Sequence, residues 1–160
     1  AGVLLPAWPG FEKHILVCAF GFGIYVMGIT QMARREADTT VDNSGQRRNL
    51  VIGLTVAILG IVMIAMMPRY APAARPWFID PARIYPLVVG MLGFTIFFRG
   101  VRLITAFRAK EIGPLIRISL LTIIPLSAAV ALVAGGPTPG IVIILLIMPA
   151  FRLASFIKMT

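Results

Sequence analysis

Residues 34–38 read Arg-Arg-Glu-Ala-Asp, and Arg47 and Arg48 follow across a short polar connection. Arginine guanidinium groups grip phosphate oxygens in bidentate fashion, and carboxylates hold Mg²⁺ together with substrate phosphates. Side by side, Arg34, Arg35, Glu36, Asp38, Arg47 and Arg48 could therefore bind a diphosphate. Two plainer readings fit the same residues: a topology anchor, or a helix end solvated at a membrane surface. Arg99 and Arg102, three apart on one helical face, form a second set. They could neutralise a phosphate in a cavity, or snorkel to the nearer membrane surface.

Upstream of the charged cluster, Tyr25, Gly28, Gln31, Arg35 and Asp38 follow helical spacing and share one stripe. A stripe that grows more polar toward the charged end suggests a cavity wall, with Tyr25 and Gln31 lining it. Other chemistries lack their residues. The single cysteine, Cys18, excludes an internal disulfide and a multi-cysteine metal site, and the single histidine, His14, has no partner at metal-ligand spacing. The chain has no glycine-rich phosphate loop, nucleophile elbow or histidine acid–base pair.

The elements that must position these groups are apolar helices. Of 160 residues, 59% are hydrophobic and 13% charged, and the mean hydropathy is +0.93, outside the range of soluble domains. A hydrocarbon core of roughly 30 Å takes about 20 helical residues to cross. Runs long enough, or nearly so, lie near residues 14–33, 49–67, 84–107, 115–134 and 139–157. None alternates with the period of two that a membrane barrel needs. The expected fold is an all-α polytopic transmembrane bundle of about five spans, forming a single transmembrane domain over residues 1–160.

The net charge of +9 would point to nucleic acid in a soluble protein. Here the basic residues sit at the ends of the apolar runs, so nucleic acid is set aside as a partner. Arg34, Arg35, Arg47, Arg48, Arg108, Lys110 and Lys158 fall on one side, against Lys13, Arg69, Arg75 and Arg83 on the other. The positive-inside rule then predicts that loop 34–48 of an inner-membrane protein faces the cytoplasm.

Local signals fill in the connections. Asp42, Asn43, Ser44 and Gly45 read as turn formers, and Asp80-Pro81 as a helix N-cap. Residues 68–86, with five prolines and the rings of Tyr70, Trp77, Phe78 and Tyr85, read as an interfacial segment. Gly21, Gly23 and Gly28 suit close helix packing, and Pro125 and Pro149 suit kinks. The reversal Gly-Gly-Pro-Thr-Pro-Gly at 135–140 predicts that the last two helices are antiparallel neighbours.

The stretch IYVMGITQMARREADTT, residues 24–40, and the segment 113–160 resemble the C-terminal half of a divergent UbiA-type membrane prenyltransferase. The resemblance implies an all-helical bundle. It also implies a polyprenyl diphosphate held through Mg²⁺ by two Asp-rich motifs on the cytoplasmic side, and prenyl transfer to an aromatic or other lipophilic acceptor. The second motif, D-x-x-x-D, falls on Arg34 and Asp38, with Glu36 between them. By that resemblance Glu36 and Asp38 would be metal ligands, and Arg34 and Arg35 would bind the diphosphate. The first motif, N-D-x-x-D, is absent, and the start of the chain reads like an interior loop. A longer chain, with the missing N-terminal half as partner, is the expectation. Two other readings stand beside it. One is a non-catalytic structural or assembly subunit, packing against partner helices and binding membrane lipids. The other is a transporter, although no inverted repeat is present.

Overall fold

The computed structural model of the chain describes residues 13–34, 43–71, 77–106, 111–146 and 148–149. Six helices occur among them: α1 (Lys13–Ala33), α2 (Asn43–Met66), α3 (Ile84–Thr105), α4 (Ile112–Leu121), α5 (Ile123–Gly135) and α6 (Pro137–Leu145). A short 3-10 turn, Met67–Tyr70, finishes α2. Four helical segments are long and apolar enough to cross a membrane: Lys13–Ala33, Arg47–Tyr70, Ile84–Thr105 and Ile112–Gly135. The fifth expected span begins as α6, and most of its remainder lies outside the described residues.

Only 28–44% of the residues in each apolar window are buried inside the protein. Large side chains such as Phe20, Met27, Leu87, Met91, Phe94 and Phe98 point outward. In water such a surface would aggregate; against acyl chains it is the expected exterior. The chain is therefore an integral membrane protein built as an all-helical bundle.

The tightest contact is between α1 and α2. Gly21 and Gly28 on α1 are seven residues apart, as are Gly53 and Gly60 on α2, so both pairs recur on one helix face. A Cβ on Gly28 would lie 2.6 Å from the Gly53 carbonyl oxygen, and one on Gly60 would lie 2.6 Å from the Gly21 carbonyl oxygen. Backbone meets backbone, which only glycine permits. Gly23, grouped with these in the sequence reading, faces open space instead. The same seven-residue rhythm continues to α3, where Leu54 and Ile61 seat against Gly100 and Gly93.

Two buried tyrosines tie neighbouring helices. The Tyr25 hydroxyl of α1 donates to the Ser119 carbonyl of α4 at 2.6 Å, and the Tyr85 hydroxyl of α3 donates to the Ile64 carbonyl of α2 at 2.9 Å. In succession α1 packs on α2, α2 on α3, α3 on α4 and α4 back on α1, so four helices close a ring. The shared core runs through Leu50, Leu54, Ile64, Ile96, Leu115 and Leu126. Against the expectation of a wholly interfacial aromatic segment, Tyr85 is buried in this core.

One local reading changes. Asn43, Ser44 and Gly45 are not a turn but the first residues of α2. Asn and Ser are N-terminal helix residues as readily as turn residues, since their side chains can occupy otherwise unpaired N–H groups. In the fourth span the helix is interrupted at Thr122, three residues before Pro125. Proline lacks an N–H for the carbonyl four residues back and its ring presses on that carbonyl, so the break falls near Leu121. The Thr122 hydroxyl donates to the Ile118 carbonyl at 2.8 Å and steadies the junction.

The remaining connections follow their sequence signals. The Asp80 carboxylate accepts the N–H groups of Ala82 and Arg83 at 2.8 and 3.1 Å, fixing the turn that leads into α3. Gly136 adopts φ 93°, with the Phe78 ring against it, and reverses the chain from α5 into α6. Gly140 then packs on Leu132, making α5 and α6 antiparallel neighbours.

Replacing Gly28 by Ala is expected to lower unfolding stability in mixed micelles by about 1–3 kcal/mol, the usual cost of overpacking. Gly23→Ala should stay within about 0.5 kcal/mol of the parent. Equal effects of the two substitutions would contradict the backbone contact.

Candidate functional site

The alternation of the four spans brings the C-terminal ends of α1 and α3 and the N-terminal ends of α2 and α4 to one end of the bundle. Arg34, Arg47, Arg48, Arg99, Arg102 and Arg117 all belong to that end, whereas Lys13, Arg69 and Arg83 belong to the other. The charge asymmetry thus follows from topology and from where arginine occurs in each helix.

At the arginine-bearing end a cleft of about 600 Å³ opens between the last turns of α3 and the first turns of α4. Arg99 and Arg102 stand on its α3 side, and Glu111 and Pro114 on its α4 side. Below them Leu103, Leu115 and Ile118 make an apolar wall; Leu103 and Leu115 belong to the buried core. Arg99 and Arg102 are both exposed, so their head groups are free of the desolvation that a buried cation would suffer. Arg102 also lies in the last turn of α3, where the helix dipole favours a cation. The geometry is a cationic rim over an apolar wall.

Arg34 is exposed at the end of α1, where its backbone N–H donates to the Thr30 carbonyl at 3.0 Å. Arg47 and Arg48 are exposed near the start of α2. That is the wrong end of a helix for a cation, by about 0.3–1 kcal/mol each. Attraction to an anionic membrane surface, about 1 kcal/mol per arginine, offsets this cost. The arginines are therefore better explained by an anionic surface or ligand than by helix stability.

Tyr25 and Gln31, expected to line a cavity with the charged cluster, are separated in role. Tyr25 is fully buried between α1 and α4, its phenol spent on the Ser119 carbonyl with Thr122 beside it. Gln31 is half-buried. Among the described residues, neither they nor Arg34 line the arginine cleft. Arg35, Glu36 and Asp38 lie outside the described residues. Among the described residues no group of three or more histidine, cysteine, aspartate or glutamate side chains could hold a metal ion. Six acidic residues occur in the chain; Asp80 is engaged at the opposite end, and Glu111 is at the cleft.

Sequence reasoning found Arg99 and Arg102 but not the α4 side of their cleft. A signal was present: Glu111 and Pro114 follow the short basic turn after α3, so the chain must return beside the arginines. Ser119 was also missed, although it is a small polar residue within an apolar run, and it is completely buried against α1. No protein-family model, curated protein or solved structure matches the chain.

Tyr25→Phe should cost about 0.6–1.7 kcal/mol in a micellar unfolding titration, the range for hydrogen bonds between membrane helices. The Ser119 hydroxyl has no protein partner, so Ser119→Ala should be neutral or slightly stabilising. A large loss in the alanine variant would show that the hydroxyl has work of its own.

Proposed function

We propose that this is a prenyltransferase-like membrane protein of the UbiA type. In this reading the arginine-bearing end, facing the cytoplasm, receives the diphosphate head of a polyprenyl diphosphate. The prenyl chain lies along apolar helix surface, and an aromatic or other lipophilic acceptor takes up the prenyl group.

The observation that carries this reading is the cleft between α3 and α4. Arg99 and Arg102, one helical turn apart, offer fork-shaped donors suited to a diphosphate. Leu103, Leu115 and Ile118 continue the same cleft as apolar surface, suited to an isoprenoid. A soluble anion would use the rim alone; an anionic amphiphile uses both. The cytoplasmic orientation is supported by the six arginines at that end against three basic residues at the other, counted among the described residues.

The chemistry required is heterolysis of the allylic carbon–oxygen bond, which leaves diphosphate carrying the bonding electron pair. Preorganised cations beside that leaving group are the largest help a protein can give. Arg99 and Arg102 would hold the diphosphate at the cleft; the assisting role of Arg34 and Arg35 rests on the family resemblance alone. Mg²⁺, when bound, would add neutralising charge at the phosphates, with Glu36 and Asp38 as its protein ligands.

The test is Mg²⁺-dependent binding of radiolabelled farnesyl diphosphate to the full-length protein in nanodiscs. Charge-assisted hydrogen bonds contribute about 1.5–3 kcal/mol each, so Arg99→Gln with Arg102→Gln should weaken binding by roughly a hundredfold or more. Asp38→Ala should remove most of the Mg²⁺ dependence. Unchanged affinity in the double arginine variant would overturn the assignment of the cleft. No binding by the parent protein would hand the lead to the assembly-subunit reading.

A further inference from the structure

The register of the glycine seam fixes the depth of the arginines. α1 and α2 run antiparallel, with Gly21 against Gly60 and Ile64, Gly28 against Gly53 and Ala57, and Met32 against Gly53. Continued in the same register, Arg34 falls level with Asn49, beside Arg47 and Arg48. At about 1.5 Å per helical residue, the three arginines share one depth to within ~3 Å. On the next seam Gly93 meets Ile61 and Gly100 meets Leu54, which puts Arg102 level with Ile52 and Arg99 level with Thr55. These two lie roughly 6 and 10 Å deeper than Arg48. The arginines thus form two tiers. The outer one belongs to α1 and α2, across the ring from the cleft between α3 and α4.

The outer tier stands where the apolar spans end. Arg34 directly follows α1, and Leu50, just after Arg48 and Asn49, is already buried in the core. Arg34, Arg47 and Arg48 are all exposed. Beneath Arg48, the residues Ile52, Thr55, Leu59 and Val62 follow at steps of four, three, four and three and make one exposed stripe on α2. The Thr55 hydroxyl donates to the Val51 carbonyl, so the stripe offers apolar contact alone. From Arg48 to Leu59 it runs about 16 Å, close to half of a hydrocarbon core of roughly 30 Å.

Tier and stripe together select an occupant. Phosphate oxygens accept the guanidinium fork in bidentate fashion. The positive end of the α2 dipole, which disfavours arginine there, adds to the attraction for an anion. A soluble anion or an acidic peptide would use the arginines and leave the stripe. An anionic phospholipid of the adjoining leaflet uses both, since its acyl chain spans that leaflet's half of the core.

We propose that this face of α1 and α2 is a docking site for an anionic phospholipid, its phosphate on Arg34, Arg47 and Arg48 and one acyl chain along the stripe beneath Arg48. The site is independent of the prenyltransferase reading, which is carried by the deeper arginines of the cleft.

The test is a titration of the full chain in micelles with dioleoyl phosphatidylglycerol, read as bound lipid by native mass spectrometry. Phosphatidylcholine with the same chains should bind about tenfold more weakly, because it carries the phosphate without the net charge. Arg47→Gln with Arg48→Gln should weaken phosphatidylglycerol binding by about thirtyfold, two arginine contributions at an anionic surface. Arg47→Lys with Arg48→Lys keeps the charge and the orientation signal, and should weaken binding several-fold through loss of the forks. Arg69→Gln with Arg83→Gln, at the opposite surface and beyond a screening length, should leave it within about twofold. Glycerol 3-phosphate, a head without tails, should not displace the lipid. Equal binding of the two lipids, or displacement by the soluble phosphate, would overturn the proposal. So would unchanged affinity in the Arg47→Gln, Arg48→Gln variant, the result expected if Glu36, Asp38 and Asp42, outside the described residues, hold these arginines instead. A loss confined to Arg99→Gln with Arg102→Gln would move the lipid to the cleft and overturn it as well.

Discussion

The structure depends first on the approach of α1 to α2. Glycines at 21, 28, 53 and 60 remove the side chains that would keep two helices apart, and the backbones touch along both turns. In lipid there is no hydrophobic force between helices, so close van der Waals contact is what remains to hold them. Once α1 and α2 are fixed, Leu54 and Ile61 present a regular surface to α3, and Tyr25 presents its phenol to α4. The ring of four helices closes from that pair outward.

Closing the ring leaves an opening at each end among the described residues. The end where α3 turns back into α4 gathers arginines above an apolar wall, and the end where α1 begins gathers aromatic and small side chains around His14 and Cys18. Between the two ends, buried polar groups are few, and the tyrosine hydroxyls are spent on carbonyls of neighbouring helices. This is the economy expected in hydrocarbon, where an unpaired donor is costly. Charge at one end, a dry middle and an aromatic hollow at the other give the bundle a chemical direction across the membrane.

Much of this was legible in the residues because lipid imposes simple rules. Helix identity and the first four spans followed from run length, the α5–α6 reversal from Gly136 and its prolines, and the turn before α3 from Asp80. The start of α2 was misread because Asn43 and Ser44 favour helix beginnings as well as turns, and local preference alone does not choose between them. Tyr25 and Gln31 do fall on neighbouring turns of α1, but periodicity gives a face without saying what covers it. The face carrying Tyr25 meets α2 and α4, so the phenol is a link between helices. The cleft at Arg99 needed the pairing of α3 with α4, which no single helix discloses.

The role proposed for the cleft between α3 and α4 is to receive the head and the adjoining tail of an isoprenoid diphosphate. Photo-crosslinking with a farnesyl diphosphate carrying a diazirine near its diphosphate end, followed by peptide mapping, tests it most directly. The account requires adducts concentrated in residues 98–118 that diminish when unlabelled diphosphate competes. Adducts spread over the lipid-facing surfaces of α1 and α3, with the same pattern from diazirine-bearing farnesol, would contradict it.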